Sequence, residues 1–127
     1  MPGLAWRLTA AWTATVAIET IVLMAFLSER HNRLTRLFAG TWLSSCTLPV
    51  VWLVLPECLP HATPLAAYLL AAETFAPLAE CGLFWWVCVR PLPPDVRSTH
   101  RDYVAIVLAN LASFTIGEVV WWSLGLA

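Results

Sequence analysis

The chain has 127 residues, of which 60% are hydrophobic and 12% are charged, and its formal net charge is −1. Soluble domains carry about 25% charged residues, so this composition excludes a chain whose whole surface faces water. The near-neutral charge, with arginine as the only strong base, gives no reason to expect a nucleic-acid partner.

Four long apolar stretches follow one another along the chain. They cover, in order, about residues 4–27, 37–56, 65–89 and 103–124. Each is close to the roughly 20 residues that a helix needs to cross a bilayer. Their apolar residues are continuous rather than alternating, which favours helices over the strands of a membrane barrel. We predict an all-α integral membrane protein in which residues 1–127 form a single domain with four transmembrane helices.

Arginine predicts the orientation of these spans. Two connections hold six of the seven arginines, namely Arg30, Arg33, Arg36, Arg90, Arg97 and Arg101, and Arg7 alone belongs to the other side. Positively charged connections normally stay in the cytoplasm. Both termini and the loop at residues 57–63 are therefore predicted to lie outside, and the small size fits a bacterial inner membrane.

A weak internal repeat relates the two halves. Residues Ala17, Glu19, Thr20 and Ala25 recur 54 positions later as Ala71, Glu73, Thr74 and Ala79. Residues Arg33, Leu43, Ser45, Thr47 and Val51 recur 68 positions later as Arg101, Leu111, Ser113, Thr115 and Val119. The matches predict two similar helical hairpins, residues 1–56 and 64–127, related by an axis near the membrane normal. Biased apolar composition is the alternative explanation.

Glutamates inside the spans are the main indication of function. Three of the four spans carry them, as Glu19, Glu73, Glu80 and Glu118. An acid at the bilayer centre costs at least about 2.5 to 3.5 kcal/mol on insertion scales and commonly marks a pathway. Glu73 and Glu80 share one helix face, separated by about 10.5 Å of rise. We predict that they are the principal ligands of a transported proton, small cation or metal ion, supported by Glu19 and Glu118.

Prolines and small polar residues extend this predicted pathway. Pro77 and Pro49 have no N–H, so the carbonyls of Glu73 and Ser45 lose their usual helical donors and can face a cation. The further predicted cation ligands are Ser45, Thr74, Asn110 and Ser113. If the acids instead hydrogen-bond to neighbouring helices, these same polar residues hold the bundle together.

A metal site is a weaker prediction. Cys58 and His61 lie close together in a loop, and Cys81 lies deeper in the third span. Sulfur, nitrogen and oxygen donors suit soft and borderline metals, although this spacing is not specific. The sequence identifies no cofactor, and haem is disfavoured because His31, His61 and His100 all fall in connections.

Two other functional classes remain open. The chain is a candidate structural or assembly subunit of a larger membrane complex, in which its acids would satisfy a partner chain. A membrane-embedded enzyme that uses a glutamate as general acid or base is the third class, although no familiar catalytic motif is present. Besides the lipid bilayer, a second copy is the expected partner, because four helices enclose little space for an ion.

Overall fold

The computed structural model describes residues 2–125, which form helices and contain no strand. The helices are α1 (Pro2–Phe26), α2 (Arg33–Pro49), α3 (Leu55–Cys58), α4 (Leu65–Phe84) and α5 (Val96–Ser123). Two π-helical segments, Val50–Val54 and Trp85–Val89, continue α2 and α4. Met1 and residues 126–127, which belong to the predicted hairpins, lie outside the described residues.

Three helical stretches are long and apolar enough to cross a membrane. They are Ala5–Phe26, Arg33–Cys58 and Val96–Ser123. The all-α prediction is confirmed over the described residues, and three of the four predicted spans are confirmed as membrane-span candidates. The stretch that includes α4 is not among them, and that helix carries Glu73 near its middle and Glu80 close to its C-terminal end. The fourth crossing therefore stays a prediction.

Helix α5 begins at Val96, seven residues before the apolar stretch predicted from residue 103. Asp95 caps it, since its side chain accepts hydrogen bonds from the backbone N–H groups of Arg97 (3.1 Å) and Ser98 (3.2 Å). Hydrogen bonds from the Ser98 hydroxyl and backbone hold the pKa of Asp95 below its usual value. Hydropathy thus located the apolar part of the helix, whereas the polar cap sets where the helix starts.

The four long helices surround a core that lies at one end of the molecule. Helix α1 packs mainly against α2 and α5, and α4 packs against the same two helices. The core, called here the apolar layer, consists of Leu23, Leu27, Ala39, Leu43, Phe84, Val89, Ala105, Ile106 and Ala109. Gly40 allows α1 and α2 to approach closely, because a Cβ there would overlap with Thr20. The apolar layer closes the space between the helices at this level.

The end of the molecule beyond the apolar layer is called here the arginine-rich end. The Arg36 guanidinium donates to the carbonyls of Met24 (2.6 Å), Ser28 (3.1 Å) and His31 (3.0 Å). Carbonyls at a helix C-terminus have no donors of their own within the helix. Arg36, which the sequence marked only as an orientation signal, therefore also fixes the end of α1.

A buried ion cluster, called here the Asp102 cluster, consists of Arg30, His31 and Asp102. The Asp102 carboxylate is fully buried and accepts from Arg30 (3.0 Å) and from the Ser28 N–H (2.8 Å). His31 Nε2 lies 2.9 Å from the same carboxylate, and the ring meets Phe84 edge-on, with centroids 5.0 Å apart. The cluster therefore joins the α1–α2 connection to α5 beside the apolar layer.

Candidate functional site

One cavity, of about 170 Å³, is lined by residues of α1, α2, α4, α5 and the π-helical segment Val50–Val54. All four glutamates singled out in the sequence line it: Glu19, Glu73, Glu80 and Glu118. Its lining also includes the aromatic residues Trp52, Tyr68, Phe114 and Trp121, and among the described residues no arginine, lysine or histidine lines it. The cavity lies on the side of the apolar layer away from the arginine-rich end. Four helices of one chain thus enclose an acidic space.

Glu19 lies at the closed end of this cavity and is 2% exposed. Its Oε1 accepts a hydrogen bond from the Ser113 hydroxyl at 2.8 Å, and its Oε2 pairs with the Ser44 hydroxyl. Ser44 belongs to α2 and Ser113 to α5, so a single acid from α1 connects both helices. Hydrogen bonding at both oxygens offsets part of the cost of burying the group.

Glu80, also 2% exposed, makes the corresponding contacts from α4. Its Oε1 accepts from the Thr47 hydroxyl at 2.6 Å, and its Oε2 accepts from the Asn110 amide nitrogen at 2.7 Å. Thr47 again comes from α2 and Asn110 from α5. Glu19 and Glu80 therefore form a matched pair, called here the buried pair, between the same two helices.

Burial recurs along the chain at offsets that differ from those of the sequence identities. Glu80 follows Glu19 by 61 residues, as the buried Phe84 follows the buried Leu23. At an offset of 66, each buried residue of α2 corresponds to a buried residue of α5. The residues of α2 are Ala39, Gly40, Leu43, Ser44 and Thr47, and their counterparts in α5 are Ala105, Ile106, Ala109, Asn110 and Ser113. In burial and contacts, Glu19 thus corresponds to Glu80, whereas the identities had paired it with Glu73.

The other two glutamates lie further along the cavity. Glu73 is half-buried and Glu118 is exposed. Within the described residues, no three His, Cys, Asp or Glu side chains come together in a group that could hold a metal ion. The four acids are therefore spread along the cavity rather than gathered around one point.

The additional ligands predicted from the sequence divide into two groups. Asn110 and Ser113 contact the buried pair, as described above. Ser45 instead accepts from the Trp12 indole (3.2 Å) and donates to the Thr41 carbonyl (2.6 Å), and the exposed Thr74 donates to a carbonyl of its own helix. Neither residue lines the cavity.

The hydroxyls of α2 that contact the buried pair belong to Ser44 and Thr47. Neither was among the predicted ligands, which included Ser45 and Thr74 instead. One signal could have identified Ser44 and Thr47. Small polar residues spaced three apart occur in both the second and the fourth spans, as Ser44 with Thr47 and Asn110 with Ser113. This spacing puts both members on one helix face.

A tyrosine satisfies an unpaired carbonyl beside the cavity. The Leu55 N–H donates to Val50 in a π-type bond, and Pro56 has no N–H, so the Val51 carbonyl lacks a helical donor. The Tyr68 hydroxyl donates to it at 2.7 Å. The expectation that proline frees a carbonyl near the site thus has a counterpart at Pro56, where a side chain of α4 fills the position.

The three residues of the predicted metal site are not brought together. Cys58 and His61 are exposed near the start of α4, whereas Cys81 is half-buried far along that helix. The rise of an α-helix separates Cys81 from Leu65 by about 24 Å.

No family model matches this chain, and neither a curated protein nor a solved structure matches it.

Proposed function

We propose that this chain is a small membrane carrier that binds a proton or another small cation in its acidic cavity and moves it across the bilayer. One observation carries the proposal: three helices contribute four carboxylates to a single cavity that no basic side chain of residues 2–125 lines. A lining of one charge sign in a medium of low dielectric constant concentrates ions of the opposite sign. Acids in the middle of apolar helices are costly, which favours a functional reason for their presence.

The proposed topology has four crossings, with α4 as the third. The acids of α4 reduce its apolar character but line the cavity, so this helix can cross the bilayer without presenting them to lipid. The arginine-rich end faces the cytoplasm, and the termini and the cavity face outward. Two hairpins, α1–α2 and α4–α5, then enter the membrane from the same side.

A carrier is favoured over an open channel because the cavity stops at the apolar layer. Leu43, Phe84 and Ile106 are fully buried there, between the buried pair and the Asp102 cluster. Passage to the cytoplasm would require these side chains to separate. Alternating access by rocking of one hairpin against the other provides such a motion.

A homo-oligomer remains a prediction. The cavity lies within one chain, so transport through it does not require a second copy. Native mass spectrometry in a lipid-like detergent tests the predicted homo-oligomer, and a strictly monomeric species would contradict that prediction.

Flux into proteoliposomes tests the proposed transport. Purified wild type would be compared with Glu19→Gln and Glu80→Gln under proton, alkali-cation and divalent-cation gradients. The matched control is Glu57→Gln, which neutralises an exposed acid outside the cavity. We expect flux from wild type and the control, and loss of most of it in the two cavity variants.

Absence of wild-type flux under all three gradients would contradict the proposal. It would favour the assembly-subunit alternative, for which co-purification of a stable partner chain from native membranes is the supporting result.

A further inference from the structure

We propose that the buried pair holds protons, and that the hydroxyls of Ser44, Thr47 and Ser113 act as positioning groups that reverse their hydrogen bonds as each acid gains or loses its proton. This inference deepens the proposed function by naming the bound species, and its role in transport rests on that function. The proton-holding site itself stands on the geometry below.

Each of the three hydroxyls faces two acceptors. The Ser44 Oγ lies 3.1 Å from the Gly40 carbonyl as well as against Glu19. The Thr47 Oγ1 lies 3.1 Å from the Leu43 carbonyl and 2.6 Å from Glu80. A hydroxyl has one hydrogen and can donate to only one acceptor at a time.

Ser113 has the same arrangement. Its Oγ lies 3.0 Å from the Asn110 carbonyl and 2.8 Å from Glu19. Every hydroxyl that contacts the buried pair can therefore direct its hydrogen to a carboxylate or to the backbone of its own helix.

This geometry accommodates both charge states of each acid. When the acid is ionised, the hydroxyl donates to the carboxylate. When the acid takes up a proton from the cavity, its new O–H group donates to the oxygen of one contacting hydroxyl, and the hydrogen of that hydroxyl rotates to the backbone carbonyl. On Glu19, the second hydroxyl continues to donate to the other carboxyl oxygen. No covalent bond in the protein other than the carboxyl O–H forms or breaks, so loading and release need only a proton exchanged with the cavity and a rotation about one C–O bond.

Asn110 fixes which oxygen of Glu80 takes the proton. Its amide nitrogen donates to the Ile106 carbonyl at 3.0 Å and to Glu80 Oε2 at 2.7 Å, so both N–H bonds are used and the amide orientation is set. Oε2 therefore remains an acceptor in both states. The exchangeable proton belongs on Oε1, opposite Thr47.

A metal cation fits these positions poorly. All four carboxylate oxygens of the buried pair already face hydrogen-bond donors, and the N–H group of Asn110 would point its positive end at an ion bound to Glu80. Alkali and divalent cations require several free oxygen lone pairs. A proton requires only the carboxyl oxygen that it bonds to and one acceptor for the hydrogen bond that it donates.

Other titratable groups face the buried pair from the surrounding helices. Glu73 and Tyr68 line the cavity from α4, and Glu118 lines it from α5. The cavity-lining residues of α2 include no titratable side chain, and Cys81 adjoins Glu80 on α4. Because protons on interacting acids titrate together, the test must remove one acid at a time.

Infrared spectroscopy of the pure protein in lipid vesicles, titrated with pH, tests the inference. A protonated carboxylic acid has a C=O stretching band that an ionised carboxylate lacks. We expect wild type to show such a band that disappears as pH rises, with separate parts of it lost in Glu19→Gln and Glu80→Gln. Thr47→Val should shift the frequency of the part assigned to Glu80, because the acid loses its acceptor, and Thr47→Ser should restore it.

The controls are Ser45→Ala and Thr74→Val, since these hydroxyls do not contact the buried pair. The inference is overturned if neither Gln variant removes any titrating band, or if Thr74→Val shifts the band as much as Thr47→Val does. Failure here differs from failure of the transport proposal. Cation flux without a titrating band would leave a carrier of another ion, and a titrating band without flux would leave a proton-holding site without transport.

Discussion

The buried pair and the Asp102 cluster bury carboxylates in opposite ways. Asp102 contacts the cationic side chain of Arg30 and does not line the acidic cavity, whereas Glu19 and Glu80 line it and contact neutral donors. A carboxylate beside a fixed cation is held in its charged form, and the ion pair stabilises the fold. A carboxylate among neutral hydroxyls next to a cavity can change its charge. The same functional group, a carboxylate, thus takes different roles according to its neighbours.

The largest expected effect is on stability at the Asp102 cluster. Asp102→Asn leaves the partly buried guanidinium of Arg30 without its counter-charge, which should lower the free energy of unfolding by about 3 kcal/mol, the lower end of the range for buried pairs. Glu80→Gln keeps a hydrogen-bonding side chain among neutral partners and should lower it by about 1 kcal/mol or less. Reversible unfolding in mixed micelles measures both. Equal losses would remove the distinction between the two regions.

A control for the charge change itself is Asp95→Asn. Asp95 is exposed, and asparagine is also an effective helix cap. Asp95→Asn should therefore lower the free energy of unfolding much less than Asp102→Asn does.

The next largest effect on stability is expected from alanine at Gly40, which is closely packed, compared with alanine at Gly82, which is open. Gly40→Ala forces a methyl group into Thr20 and should destabilise the protein by about 1 to 3 kcal/mol. A Cβ at Gly82 meets nothing within 4 Å, so Gly82→Ala should stabilise α4 by about 0.5 to 1 kcal/mol. Thermal unfolding of the two variants, side by side, measures the difference. A higher stability of Gly40→Ala than wild type would mean that α1 and α2 do not approach as described.

The most local effect concerns the cavity side of the molecule. Tyr68→Phe removes the hydrogen bond to the Val51 carbonyl and should cost about 1 kcal/mol. Tyr103→Phe, at the arginine-rich end, is the matched control. Amide hydrogen exchange at residues 50–56 should quicken in the first variant only. Unchanged exchange there would show that the tyrosine does not stabilise the π-helical segment.

Apolar runs and glutamate positions predicted much of this molecule, for clear physical reasons. A long apolar run needs a helix to satisfy its backbone groups, so the long helices follow from the sequence. An acid in such a run must avoid lipid, and all four do line one cavity. The sequence did not predict which side of each helix faces its neighbours. Ser44 and Ser45 differ by about 100° around the helix, and only the packing of α1 against α2 shows which of them meets Glu19.

The Asp102 cluster could not be predicted from local patterns. Asp102 is about seventy residues away from Arg30 and His31 in sequence, and all three lie outside the apolar runs, so periodicity gives no signal for their contact. Only the closure of the helical arrangement brings the α1–α2 connection against the start of α5.

Cysteine accessibility measures whether the acidic cavity is open to water from one side and closed by the apolar layer, as the proposed carrier requires. In a background with the four native cysteines replaced, Ala76→Cys lines the cavity and Ala109→Cys lies in the apolar layer. We expect a charged, membrane-impermeant thiol reagent to modify Ala76→Cys from the side opposite the arginine-rich end and to leave Ala109→Cys unmodified. Modification of both, of neither, or of Ala76→Cys from the arginine-rich side would contradict this expectation.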